Sequence, residues 1–175
     1  MDPLLEELTK RDLAARTTEH DDPVIQQALV YANQALSPVK TIPFDEIMRI
    51  YEESGMTLSP KEKEIRRGGL GGFRLSNDEH LLINEDSRAY QNAKKNPSNR
   101  AANAILASIL LHEQVHGTET GREGEFPAHR LQADFLRSKM SDMPGRTQRE
   151  ELTRYMKDME YLAQHYDKAN KAERK

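Results

Sequence analysis

The sequence predicts an α+β fold that is mostly helical and contains one short β-hairpin. Apolar residues recur at three- and four-residue steps along most of the chain, which is the spacing of one helix face. The stretch 73–84 instead reads as two short strands around a turn at Asn77-Asp78. At 175 residues we expect one compact unit, with a helical region at 1–60 and the domain that carries the chemistry at 61–175.

Prolines, glycines and apolar spacing set the expected helix ends. Pro23 and Pro43 each stand where a first helical turn begins, because proline needs no amide donor there. Gly55 and the break at 143–145 end helices. The charged stretch 168–175 is expected to fray. The predicted helices are 3–16, 23–31, 44–53, 60–67 (helix or loop), 85–95, a motif helix that ends at 116, 125–140 and 147–170.

Residues 112–116 read H-E-x-x-H at the end of the apolar run 101–111. Positions four apart lie on one helix face, so His112 and His116 can present two imidazoles to one metal ion. Glu113 follows His112 directly, so its side chain can act on a water bound to that ion. Zinc is the usual metal for this motif. The alternative is a pair of helix-end histidines that are solvated or hydrogen-bonded in the core.

The pattern around the motif indicates a helix. Ser98 or Asn96 is the expected N-cap, and Gly117 is the expected stop. One stripe of helical spacing runs into the motif, and its members are Ile105, Ile109, His112 and His116.

A catalytic zinc site needs a third protein ligand and one open position. Pro127 belongs in a first helical turn, so the next helix should begin near 124–126 with Glu125 on its core-facing side. Glu123 then falls in the loop, and Glu119 lies too close, in a turn flanked by glycines. We favour Glu125, although each of these carboxylates is also typical of a solvated helix start.

Hydrolysis at such a site also needs a donor for the oxyanion that forms on the attacked carbonyl. His129, four residues after Glu125, is a candidate for this donor, for a hydrogen bond to a ligand, or for a ligand itself. Tyr155 on the final helix is the other candidate donor. A tyrosine in a helical stripe more often packs in the core, and the sequence leaves both residues open.

The segments 111–116 and 125–132 resemble the zincin metallopeptidase superfamily, and they are most similar to the gluzincin pattern, in which a glutamate on the next helix completes the site. The resemblance covers about residues 70–136. It implies a compact zincin-like domain with the hairpin beside the motif helix. It also implies an endopeptidase in which a metal-activated water hydrolyses a peptide bond with Glu113 as general base. The implied Zn²⁺ ligands are His112, His116 and Glu125.

The chain departs from larger zincins in two ways. The gap from His116 to Glu125 is short for the larger gluzincins, and Glu119 and Arg122 stand where a metzincin has glycine and histidine. Small bacterial effector proteases carry compact domains of this sort. In zincins a strand before the metal helix lines the cleft, and an extended peptide can add to it. The stretch 81–83 is either that strand or ordinary hairpin core.

Composition and charge bound the remaining possibilities. The net charge of −3 gives no basic field for nucleic acid, so we expect no nucleic-acid partner. No apolar run is long enough to span a membrane, and no cysteine is present to form disulfides or thiolate ligands. The acidic first residues do not resemble a signal peptide, which predicts a cytoplasmic protein or one exported without a cleaved signal, such as a secreted effector.

Three functions stay open on the sequence. The first is a zinc endopeptidase whose substrate is a protein or peptide. The second is a zinc hydrolase or a metal-sensing domain that takes a non-peptide substrate. The third is a non-enzymatic helical interaction module in which the motif is accidental. The intact Glu113 favours hydrolysis over metal binding alone.

Overall fold

The computed structural model describes residues 20–74, 79–116 and 122–174. Within these ranges the chain forms seven α-helices, one 3-10 helix and a three-stranded sheet, which confirms the predicted α+β fold dominated by helices. The predicted helix 3–16, the turn at 77–78 and the stop at Gly117 lie outside the described residues. In chain order the elements are α1 (Pro23–Ala32), β1 (Val39–Ile42), α2 (Phe44–Glu53), α3 (Pro60–Gly69), β2 (Gly72–Phe73), β3 (Leu81–Asn84), α4 (Arg88–Lys95), α5 (Arg100–Val115), α6 (Arg122–Lys139), the 3-10 helix (Met140–Asp142) and α7 (Arg146–Glu173).

The sheet has the order β1-β3-β2, with β3 in the middle. β3 runs parallel to β1, where Leu81 pairs with Val39, and antiparallel to β2, where Ile83 pairs with Gly72. Every residue of β3 is buried. The antiparallel strand pairing of the predicted hairpin is therefore present. Of the two interpretations of 81–83, the one in which this strand accepts an added peptide is wrong, because β1 and β2 already occupy both of its edges.

Helix α5 runs through the middle of the core. Its residues from Ala101 to Glu113 are all buried, and α1, α6 and α7 pack around it. The N-cap is Asn99, whose side chain accepts a hydrogen bond from the N–H of Ala102 at 3.0 Å. The predicted caps Ser98 and Asn96 are wrong, because only residue 99 directly precedes the first helical residue of α5.

Helix α6 begins earlier than the proline argument predicts. It starts at Arg122, so Pro127 lies inside the helix, and Glu123 lies in the first turn rather than in a loop. A proline at this position leaves one carbonyl without its intrahelical partner, that of Glu123 four residues before. The loss falls in the first turn of an otherwise continuous helix of 18 residues. Glu125 keeps the first-turn position that the sequence predicted.

Two buried clusters hold the elements together. The larger surrounds α5 and takes side chains from α1, α4, α6, α7 and β3. The smaller lies around Phe44, Ile47 and Phe73, between α2 and the sheet. Helix α7 continues to Glu173, so the predicted fraying from residue 168 is wrong up to that point. Within the ranges described, none of the helices combines the length and the apolar character that crossing a membrane requires.

Candidate metal centre

The three predicted ligands converge between the end of α5 and the start of α6. His112 and His116 lie one turn apart on α5, and their Nε2 atoms are 3.0 Å from each other. Glu125 faces both rings: its Oε2 is 3.5 Å from Nε2 of His112, and its Oε1 is 3.5 Å from Nε2 of His116. One ligand atom from each residue lies within 4.8 Å of the other two. We call these residues the ligand trio.

The donor atoms of the ligand trio fit a zinc ion. Two imidazoles and one glutamate are a ligand set of catalytic zinc sites, which use three protein ligands where structural sites use four. The three donor atoms are close enough for a single ion to contact them all. Imidazole and carboxylate also suit other divalent transition metals, so zinc itself stays a prediction.

A chain of buried hydrogen bonds fixes the tautomer of His112. The hydroxyl of Ser108 donates to the carbonyl oxygen of Ile105 at 2.7 Å, so its oxygen accepts from Nε2–H of Gln132 at 3.2 Å. This orientation leaves Oε1 of Gln132 as an acceptor, and Nδ1–H of His112 donates to it at 2.8 Å. His112 therefore directs its Nε2 toward the other two members of the trio.

Sequence reasoning missed the roles of Gln132 and Ser108. Two signals point to them in retrospect. Ser108 interrupts the apolar run of α5 one turn before His112, and Gln132 lies on the same face of α6 as Glu125. Both side chains are buried: Ser108 is 0% exposed and Gln132 is 2% exposed. A buried polar group in a helical core needs a partner, and here Ser108 and Gln132 pair with each other and Gln132 pairs with His112.

His129 joins the cluster from α6. Its Nε2 is 3.2 Å from Oε2 of Glu125, and its Nδ1 is 3.3 Å from Oε1 of Gln132. Its ring stacks on Tyr166 of α7, with centroids 5.7 Å apart and planes inclined by 13°. His129 does not belong to the ligand trio. Of its three predicted roles, the geometry favours a hydrogen bond to the ligand Glu125.

Glu125 is ionised in this cluster. Burial raises the pKa of its carboxyl group, but hydrogen bonds from His112 and His129 and the positive charge of His112 and His116 outweigh burial. The net result is a pKa well below the usual range of a glutamate. A cation bound by the trio would compete with protons for these donor atoms, so its affinity would depend on pH.

Glu113 lies beside the ligand trio, in the wall of the same cavity. Only 6% of the residue is exposed. Burial, and then the negative charge of Glu125, raise the pKa of its carboxyl group to about 8, while the positive charge of Arg74 opposes the shift. In the metal-free chain at neutral pH this carboxyl group is therefore mostly protonated.

The two candidate oxyanion donors both line the cavity. Burial raises the pKa of Tyr155 to about 12, and a hydrogen bond with Gln132 lowers it by less. The phenol therefore keeps its proton at ordinary pH and can donate it. The alternative ligand Glu123 is exposed on α6, and Glu119 lies outside the described residues.

The trio and Glu113 open into a cavity of about 700 Å³, a volume in the range of small-ligand sites. Strand β2 forms part of the wall, together with Arg74 just after it. Tyr51 of α2 and Arg66 of α3 also line the cavity. Neither residue was predictable from the sequence, because α2 and α3 precede the motif and carry no pattern that indicates a site.

Comparisons of the chain with protein-family models, with curated proteins and with solved structures find no match. The resemblance to zincins therefore rests on the motif residues alone.

Gly72 lies where β2 approaches Leu82 and Glu113 closely, and we expect Gly72→Ala to be costly. A Cβ there would lie 2.9 Å from the carbonyl oxygen of Leu82 and 3.2 Å from Cγ of Glu113. Backbone must move to make room, which costs about 2 kcal/mol and lowers the melting temperature by roughly 4–8 °C. Gly69→Ala is the control, because a Cβ there would have no neighbour within 4 Å. Thermal unfolding compares the two, and equal losses would contradict this explanation.

Proposed function

We propose that the protein is a zinc-dependent endopeptidase. The observation that carries the proposal is the convergence of His112, His116 and Glu125 within 4.8 Å of one another, with Glu113 buried beside them in a cavity. A helical interaction module has no need of this arrangement, because buried histidine and carboxylate groups without a ligand cost stability. The position of Glu113 favours hydrolysis over metal sensing.

The ligand trio would hold the ion through Nε2 of each histidine and a carboxylate oxygen of Glu125. Zn²⁺ bound there supplies Lewis acidity, which lowers the pKa of a water molecule to about 7. Gln132 keeps His112 in the tautomer that binds. His129 holds the Glu125 carboxylate from the other side. Outer contacts of this kind are worth about 10- to 100-fold in metal affinity.

Glu113 acts as the general base in this proposal. A cation held by the trio offsets the charge of Glu125, which contributes to the raised pKa of Glu113. The pKa in the loaded protein then lies below about 8, so Glu113 is a competent proton acceptor near neutral pH. It takes a proton from the attacking water and delivers it to the nitrogen of the leaving amine. Tyr155 donates a hydrogen bond to the oxyanion and keeps its proton.

The substrate would lie along β2. Within the described part of the chain β2 pairs only with β3, and an extended peptide would pair with its other edge. This edge, and not 81–83, borders the cavity beside Glu113. Main-chain hydrogen bonds to β2 would place a peptide bond near the trio.

Metal reconstitution and a substrate panel test the proposal. The protein is stripped with a chelator, reloaded with Zn²⁺, and incubated with random peptide pools and with ester and non-peptide amide substrates. We expect about one zinc per chain, with peptide cleavage that disappears on chelation and returns with zinc. The proposal fails if the protein retains no zinc, or if the loaded protein hydrolyses only the non-peptide substrates.

A further inference from the structure

We propose that the cavity recognises a carboxylate group of the substrate through Arg74, with Arg66 as a second cation. The inference rests on the proposed function and names its substrate class: peptides that carry a carboxylate near the scissile bond. The carboxylate belongs either to an aspartate or glutamate side chain or to the C-terminus of the peptide.

Arg74 is half-buried in the cavity wall directly after β2. Its Nη1 atom is buried and has no hydrogen-bond partner among the described residues. A buried cationic donor without an acceptor is costly, so it marks a place where an acceptor is expected to bind. Arg67 is a useful contrast, since its guanidinium already donates to Asp45 at 3.1 Å and lies over the ring of Phe44.

Arg66 adds a second guanidinium group to the same cavity. It lies on α3 and is exposed to solvent, and it interacts with the hydroxyl of Tyr51. None of the residues of α3 is buried, so the side chain of Arg66 does not pack in the core. The cavity therefore offers two fork-shaped donors, the geometry that binds carboxylates by paired hydrogen bonds.

The charges of the cavity favour an anionic ligand. The two arginine charges at least match the negative charge of Glu113 and Glu125, which line the same cavity, whether or not Glu113 holds its proton. A divalent cation at the ligand trio then leaves the cavity net positive. Clefts lined by charge of one sign concentrate ligands of the opposite sign.

The probes are acetylated, amidated random peptide pools that differ at one fixed position, which is Glu, Gln or Lys. A further Gln pool has a free C-terminal carboxylate. Binding is measured by fluorescence anisotropy on zinc-loaded Glu113→Gln protein, and cleavage is measured in parallel on zinc-loaded wild type. If no pool is cleaved, the proposed function fails, while the binding preference still tests the carboxylate site.

We expect the Glu pool or the free-acid pool to bind about tenfold more tightly than the amidated Gln pool, the usual worth of a hydrogen bond to a charged group. A preference for the Glu pool identifies a side-chain carboxylate, and a preference for the free acid identifies the C-terminus. Arg74→Gln abolishes the preference, Arg74→Lys keeps part of it, and Arg66→Gln weakens it.

Arg146→Gln is the matched control. This arginine is 91% exposed and pairs with Glu150 outside the cavity, so its removal leaves the preference unchanged. Arg74→Gln should also melt close to wild type, because Nη1 has no described partner to lose and glutamine keeps part of the side-chain stem. Equal binding of all pools, or an undiminished preference in Arg74→Gln, overturns the proposal. A large drop in the melting temperature of that variant overturns it as well, since it would make Arg74 a structural residue.

Discussion

We expect Glu113→Gln to reduce peptide hydrolysis by about a hundredfold or more, the usual worth of a positioned base. Glutamine has nearly the same size and shape, so it keeps the packing under Gly72, but it cannot accept the proton of the attacking water. The ligand trio is untouched, so zinc content should equal that of wild type. The measurement is kcat on a cleaved peptide together with metal analysis of the same sample. Loss of zinc along with activity would mean that Glu113 is a ligand.

A stability measurement on the metal-free proteins checks the surroundings of Glu113 independently. Burial and the charge of Glu125 raise the pKa of Glu113 to about 8. The folded chain therefore holds this proton more tightly than the unfolded chain does. Raising the pH from the ordinary glutamate value through 8 thus lowers the stability of wild type. Glu113→Gln lacks this proton, so its melting temperature should exceed that of metal-free wild type at pH 9 and approach it at pH 4.

The part of the site that depends on one helix was predictable from the sequence. The spacing of His112 and His116 fixes their shared face, because an α-helix repeats every 3.6 residues. The sequence predicted that Glu125 lies in the first turn of the next helix. It does lie there, although the helix starts earlier than predicted, at Arg122. The error in the helix start came from treating Pro127 as a boundary, whereas one missing hydrogen bond near a helix end is tolerated.

The contacts between elements were not predictable in the same way. Strand β1 has only four residues, and it pairs with β3. The two strands are far apart in sequence, since Val39 pairs with Leu81, 42 positions later. The link from Ser108 through Gln132 to His112 depends on the packing of α5 against α6. Arg66 enters the cavity from an element before the motif. Such pairings arise from tertiary packing, which local sequence patterns do not encode.

Substitution of the predicted zinc ligands should reduce zinc binding more than substitution of any neighbouring residue. We expect His112→Ala and His116→Ala to abolish stoichiometric zinc binding, because each leaves only two protein ligands where a catalytic site needs three. Glu125→Ala should weaken zinc retention by more than about a hundredfold, beyond the 10- to 100-fold typical of an outer hydrogen-bond partner. Titration of the zinc-loaded variants with a chelator of known affinity gives the order directly.

Glu123→Ala is the matched control for Glu125→Ala, since both residues stand in the first turn of α6 but Glu123 is exposed and outside the ligand trio. It should retain zinc as wild type does. His129→Ala removes the contact at 3.2 Å to the Glu125 carboxylate, so it should keep stoichiometric zinc with weaker retention and reduced activity. If Glu123→Ala or His129→Ala loses zinc while Glu125→Ala keeps it, the third ligand is misassigned. The peptidase proposal would then lose the convergence on which it depends.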